Sequence, residues 1–146
     1  MRILSVDYGK KRTGLAVTDP MQIIANGLVT VATSELLSFI CQYVCREEVE
    51  TIVFGEPTQP NGQPSENLQR VRSFAGELKK KLAEMREDGR LKHDIAIEWY
   101  DERFTSVLAH QTMLTSGIGK KARQNKALVD TISATIILQD YMNFRK

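Results

Sequence analysis

The first half of the chain alternates short apolar runs with abrupt polar breaks, a strand pattern rather than a helical one. Ile3-Leu4-Ser5-Val6 is closed by Asp7, and Thr13-Gly14-Leu15-Ala16-Val17-Thr18 starts a second run. Strands are expected at about 2–7, 13–18 and 25–32, with Gly9 and Asp19-Pro20-Met21 marking the turns. Connections this short make the three strands an antiparallel meander. The period then changes. Leu36, Leu37, Ile40, Cys41 and Val44 recur at helical spacing behind Thr33 or Ser34 as a cap. A compact strand, Thr51-Ile52-Val53-Phe54, ends at Gly55-Glu56-Pro57. The stretch from Pro57 to Ser65 holds prolines and a glycine but no apolar anchor, so an exposed, mobile loop is expected there. A second helix carries the stripe Leu68, Val71, Ala75, Leu78, Leu82 and Met85, and a strand over 95–100 runs into Asp101-Glu102-Arg103. A short helix at about 106–115 and the turn Ser116-Gly117-Ile118-Gly119 precede a last helix at about 127–143, apolar on nearly every side and so largely buried. The order βββαβαβαα predicts an α/β fold. Its five-stranded mixed sheet, antiparallel through the first three strands and parallel thereafter, is covered by helices, in one domain over residues 1–146.

Composition narrows the function classes. A chain of 146 residues, 42% hydrophobic and 26% charged, is long enough for a sizeable core and is not a disordered tail. No apolar stretch would span a bilayer, and the N-terminus has no signal-peptide pattern, so a cytoplasmic protein without a membrane partner is expected. Cys41 and Cys45 share a helix face at a spacing that would strain a disulfide. With no histidine nearby they make a poor zinc site and read as reduced core thiols. The net charge of +2 excludes little, but cations gather at Lys10-Lys11-Arg12, at Lys79-Lys80-Lys81 and at Lys120, Lys121, Arg123 and Lys126. The middle cluster suits a solvated helix face. The outer two could follow a phosphate backbone.

The acids are more telling. In the expected topology the strands ending at Asp7, Phe54 and Tyr100 run parallel, and their carboxyl ends share the ligand edge of an open α/β sheet. That edge would collect Asp7, Glu56, Asp101 and Glu102, with Asp130 near the start of the last helix. Each has an ordinary structural role available: an Asx turn for Asp7, a surface ion pair for Glu102, a helix N-terminus for Asp130. Together they would repel unless a cation intervenes, and hard oxygen ligands suit Mg²⁺ or Mn²⁺. His93, in a polar turn, and His110, in a helix, are expected to be structural or solvated.

The spacing Asp7-x-Gly9-x-Lys11-Arg12-x-Gly14-x-Ala16 comes first, then Gly55-x-Pro57 with Gly62, then Asp101-Glu102-Arg103-Phe104-Thr105-Ser106 with Ala109. Asp130 ahead of Ala134 and Ile137-Leu138-Gln139 completes a set that resembles the YqgF/RuvX family. Each motif is weak alone; together, in order and from end to end, they are specific. The resemblance implies an RNase H-like fold related to the resolvase RuvC. Members are described as Holliday-junction resolvases and as nucleases that mature the 5′ end of pre-16S rRNA. It further implies metal-binding acids at Asp7, at Asp101 or Glu102, and at Asp130, and a substrate contact in the basic turn before the last helix. Glu56 departs from the family pattern, which more often has an apolar residue there. It is carried as a fourth ligand or a loop residue.

The reaction implied is metal-assisted hydrolysis of a phosphodiester. Asp7 would bridge the metals, and Asp130 with Asp101 or Glu102 would complete the set. Lys10, Lys11, Arg12 and Arg103 would position the scissile region, and Lys120, Lys121, Arg123 and Lys126 the flanking phosphates. Thr105 and Ser106 are expected to cap a helix rather than bind phosphate. With 7% aromatic residues, backbone recognition is expected over base stacking. The favoured substrate is pre-16S rRNA, with branched DNA as the alternative and a monomer or homodimer as the acting species. A non-catalytic nucleic-acid-binding module is a second alternative. An ATP-binding domain of the actin-like kind also opens with Asp-x-Gly, but it needs two such domains.

Overall fold

The computed structural model describes residues 1–56, 66–101 and 126–145. The expected loop at 57–65, the short helix at 106–115, His110 and the turn at 116–119 lie outside the described residues.

Strands β1 (Arg2–Asp7), β2 (Arg12–Thr18) and β3 (Ala25–Ala32) form the expected meander. A short 3₁₀ turn (Thr33–Glu35) leads into α1 (Leu36–Arg46). Next come β4 (Val49–Glu56), α2 (Glu66–Glu87), β5 (Ala96–Asp101) and α3 (Lys126–Arg145). The sheet order is β3-β2-β1-β4-β5. β1 is antiparallel to β2 and parallel to β4, and β4 is parallel to β5, so the carboxyl ends of β1, β4 and β5 lie together as the topology predicted.

Strand alternation divides the buried residues between two layers. Leu4, Val6, Leu15, Ile52 and Phe54 face a core shared with α1 and α2. Ile3, Ala16 and Val53 face Ala134, Ile137, Leu138 and Tyr141 of α3. Two polar bonds pin α3 to the sheet: the buried Ser5 hydroxyl donates to the Ala134 carbonyl at 2.6 Å, and Thr30 and Thr131 share a hydroxyl bond at 2.7 Å. The helix comes close to β3 at Gly27, where an added Cβ would lie 2.6 Å from the Thr131 methyl. Past Gly27 the pairing of β2 with β3 shifts, leaving Leu28 as the extra residue of a bulge.

Two expectations need correction. Neither Thr33 nor Ser34 caps α1 through its side chain; the Thr33 hydroxyl instead donates to the Gly9 carbonyl at 2.7 Å. Both cysteines are free, but only Cys41 is half-buried; Cys45 is exposed, so it is not a core thiol. Burial pushes the Cys41 thiol pKa upward, which leaves it less reactive than an ordinary cysteine. Among the described residues no helix is long and apolar enough to cross a membrane.

Candidate active site at the carboxyl end of the sheet

Asp7 ends β1 and is half-buried. Its position alternates with Val6 and matches Ser5, so it belongs to the layer that α3 covers. Directly across from it on β2 is Gly14, and across from Gly14 on β3 is Thr30. On the other flank, Val6 pairs with Phe54, so Gly55 takes the next place along β4, and Gly55 in turn pairs with Tyr100. Asp7 therefore has a glycine on either side. Those two positions carry no side chain, and the row lies on the side of the sheet that α3 covers. Asp7 has partners of its own in the structure.

The run of α3 brings Asp130 to the same level. Ser5 bonds to Ala134, and Ile3 shares its cluster with Ile137 and Leu138, so the helix descends as β1 ascends. Asp7 lies two residues above Ser5, about 6.6 Å of strand; Asp130 lies four residues before Ala134, about 6 Å of helix. Thr131, bonded to Thr30 in the Asp7 row, confirms the level independently. The backbone thus sets Asp130 of α3 over the row that contains Asp7.

The cationic hairpin beside Asp7 is braced from below. A side chain at Gly9 would run into the Arg12 carbonyl, its Cβ only 2.2 Å away, so glycine is required for the turn to close. Thr33 donates to the Gly9 carbonyl, pairs with the Thr13 hydroxyl at 2.9 Å, and its amide donates to the Lys11 carbonyl at 2.9 Å. From the other side, the Asn67 amide donates to the Tyr8 carbonyl at 2.8 Å. Lys10 and Lys11 are exposed and Arg12 is half-buried. Thr33 was expected only as a helix cap, and Asn67 was not singled out. Their roles depend on partners distant in sequence and have no local signal.

Glu56 behaves differently from Asp7. It follows Phe54 by two residues and so shares the α2 side, where its carboxylate meets the Arg72 guanidinium at 3.3 Å. The structure does not bring it to Asp7. Asp101 is in register with Glu56. Glu102, Arg103, Thr105, Ser106, Lys120, Lys121 and Arg123 lie outside the described residues, and Lys126 begins α3. Among the described residues no group of three or more metal-capable side chains gathers. His93 is structural, its Nε2 2.9 Å from the Val49 carbonyl oxygen.

Comparison with known proteins shows the family to which the chain belongs. Residues 1–144 match the family model described as RuvX: Holliday junction resolvase. A protein of Phocaeicola vulgatus named "Putative pre-16S rRNA nuclease" is 58% identical over 145 residues, covering 99% of this chain and 97% of its own length. Proteins of the same name from Bacteroides fragilis and Flavobacterium psychrophilum are 56% and 51% identical, covering 99% and 97% of this chain and 98% and 96% of theirs. Among solved structures, T. thermophilus RuvC in complex with a Holliday junction superposes with a TM-score of 0.56 at 15% identity, over 99% of this chain and 96% of that one. Fowlpox virus resolvase bound to Holliday junction DNA gives 0.55 at 12%, over 99% of each. At these identities the two structures speak to the fold alone, and that fold is RNase H-like.

Proposed function

Because the chain belongs to the RuvX family, we propose that it is a metal-dependent nuclease whose substrate is the 5′ end of pre-16S rRNA. The observation that carries this reading is the Asp7 row. It sets a carboxylate at a strand's end, the glycines Gly14 and Gly55 at its level on either neighbouring strand, and the Asp130 end of α3 on one side of the sheet. The donor set fits Mg²⁺ or Mn²⁺, since hard carboxylate oxygens suit these ions. Asp7, Glu102 and Asp130 would hold the metal.

When bound, the metal supplies an activated water and offsets charge on the departing oxygen. The protein's own part is orientation and charge. Lys10 and Lys11, exposed on a turn braced by Thr33, meet the strand beside the scissile bond. Arg12 stands closer in, at the start of β2. Arg103 would help position the scissile region, and Lys120, Lys121, Arg123 and Lys126 would take flanking phosphates. Residues 1–146 would act as one nuclease domain.

The test is cleavage of a pre-16S rRNA 5′-end fragment and of a four-way DNA junction, each with Mg²⁺, Mn²⁺ or EDTA. Metal-dependent cutting of the RNA, lost in a folded Asp7→Asn variant, is expected. Full activity in that variant would remove the mechanism. Junction resolution is the second reading, favoured by the description of the matching family model as a Holliday junction resolvase. Paired cuts in the junction with intact RNA would put it first.

A further inference from the structure

Asp7 and Tyr8 are adjacent but belong to opposite sides of the sheet. Tyr8 packs against the core shared with α1 and α2, its ring 5.5 Å from that of Phe74. Beside this pair lies a surface cavity of about 410 Å³, lined by Tyr8, Gln69, Arg70, Ser73, Phe74 and Glu77. Its size falls within the usual range for small-ligand sites, about 300–1,000 Å³.

The lining defines the ligand class. One wall is aromatic, with Phe74 almost fully buried behind a half-buried Tyr8. The rim has one cation, one anion, an amide and a hydroxyl, so its formal charge sums to zero. A free phosphate or a carboxylate would want net positive charge. A purely apolar ligand would waste Arg70, Gln69 and Glu77. A planar, neutral ring with donors and acceptors on its edge uses all of them.

Two further observations support a rigid platform here. The Asn67 amide clamps the Tyr8 backbone to the first turn of α2. Aromatic contacts continue behind it, from Phe74 to Phe54 at 6.0 Å and from Phe54 to Trp99 at 5.4 Å. The chain is poor in aromatics overall, yet these gather at the sheet end that carries Asp7.

We propose that this cavity is a nucleobase-binding subsite, which takes one unpaired base next to the scissile phosphodiester by stacking on Tyr8. Gln69, Arg70 and Glu77 contact the edge of that base. The proposal rests on the nuclease reading and gives it a source of sequence or strand preference that the phosphate contacts lack.

The test is fluorescence anisotropy in EDTA, so that no cleavage enters. The probe is a labelled single-stranded RNA spanning the 5′ end of mature 16S rRNA, with a single abasic site moved along it. One abasic position should weaken binding about tenfold, with its neighbours much less affected. Tyr8→Ala should weaken the intact strand by a similar factor and abolish the response to that position; Tyr8→Phe should keep both. Ser73→Trp, which fills the cavity from an exposed helix position, should mimic Tyr8→Ala without touching the core. Binding of every strand with no sensitive position overturns the subsite and leaves the nuclease reading intact. Unchanged RNA binding by both Tyr8→Ala and Ser73→Trp does the same, and would turn the cavity toward an aromatic side chain of a protein partner. No binding of this RNA or of a four-way junction, even at low salt, overturns the subsite together with the reading beneath it.

Discussion

Gly27→Ala tests whether the close approach of α3 to β3 sets the catalytic geometry. The new methyl would sit 2.6 Å from the Thr131 Cγ2, whereas carbon pairs prefer about 3.5–4.0 Å. Relief requires either a retreat of α3 by about 1 Å or a turn of the Thr131 side chain. That turn would give up the 2.7 Å bond to Thr30. Overpacking of this kind costs about 1–3 kcal/mol, and the restricted unfolded chain returns about 0.4–1 kcal/mol. A net loss of about 0.5–2 kcal/mol should lower Tm by a few degrees in a domain of this size. Activity should fall further than stability. Asp130 is the residue before Thr131, and displacement by about 1 Å can cost as much as 100-fold in rate. Thr131→Ser removes the obstructing methyl while keeping the hydroxyl that bonds Thr30. The Gly27→Ala/Thr131→Ser double variant should recover most of both losses. Thermal melts paired with single-turnover cleavage well below Tm would decide the matter. A Gly27→Ala protein that cleaves at the wild-type rate, or a double variant with no recovery, would refute the reasoning.

Three other expectations follow from single contacts. Ser5→Ala deletes the buried bond to the Ala134 carbonyl and should cost about 1 kcal/mol, read as a small drop in Tm, because that bond pins α3 to β1. Glu56→Gln should leave metal-dependent cleavage unchanged and alter stability by no more than about 0.5 kcal/mol, since its partner is the exposed Arg72 on the α2 side. A large loss of metal affinity would return Glu56 to the ligand set. The third concerns acid. The Ile24 amide, helped by those of Ile23 and Met21, holds the Asp19 carboxyl below its ordinary value of 3.8. Its folded pKa is depressed, so its contribution is present above that value and fades as pH falls through it. The stability gap between wild type and Asp19→Asn should therefore narrow from pH 5 towards pH 2; a constant gap would contradict the assignment.

The sheet was legible because its information is local and periodic. Alternation in Ile3–Val6 and Thr13–Thr18, with turn residues between them, was enough to place the meander, and the helical stripes placed the crossovers. What escaped was whatever depends on a partner far along the chain or on a single step of register. Thr33 precedes a helix and resembles a cap, but its hydroxyl is used by Gly9, 24 residues earlier. Cys45 shares a helical stripe with Cys41 yet lies at its margin, where solvent reaches it. Glu56 ends its strand as Asp7 ends β1. Because it follows Phe54 by two residues while Asp7 follows Val6 by one, the two acids fall on opposite sides.

The same one-residue step divides the work of the site. Asp7 belongs to the α3 side with the glycine row, and Tyr8 to the α2 side with the cavity. A strand end that sends consecutive side chains apart can hold a phosphate on one side and an adjacent base on the other, with no motion between them. The two functions should then separate cleanly by mutation. Asp7→Asn should abolish cleavage while leaving the EDTA affinity for single-stranded RNA within about threefold of wild type, because the cationic hairpin and the cavity persist. Tyr8→Ala should do the reverse: affinity falls about tenfold, and the cleavage rate at saturating RNA and its metal-concentration dependence change little. Measuring both quantities on both variants makes the prediction strict. If Tyr8→Ala shifts the metal dependence, or Asp7→Asn loses the abasic-site sensitivity, the sheet end is one coupled site and the division by strand face is wrong.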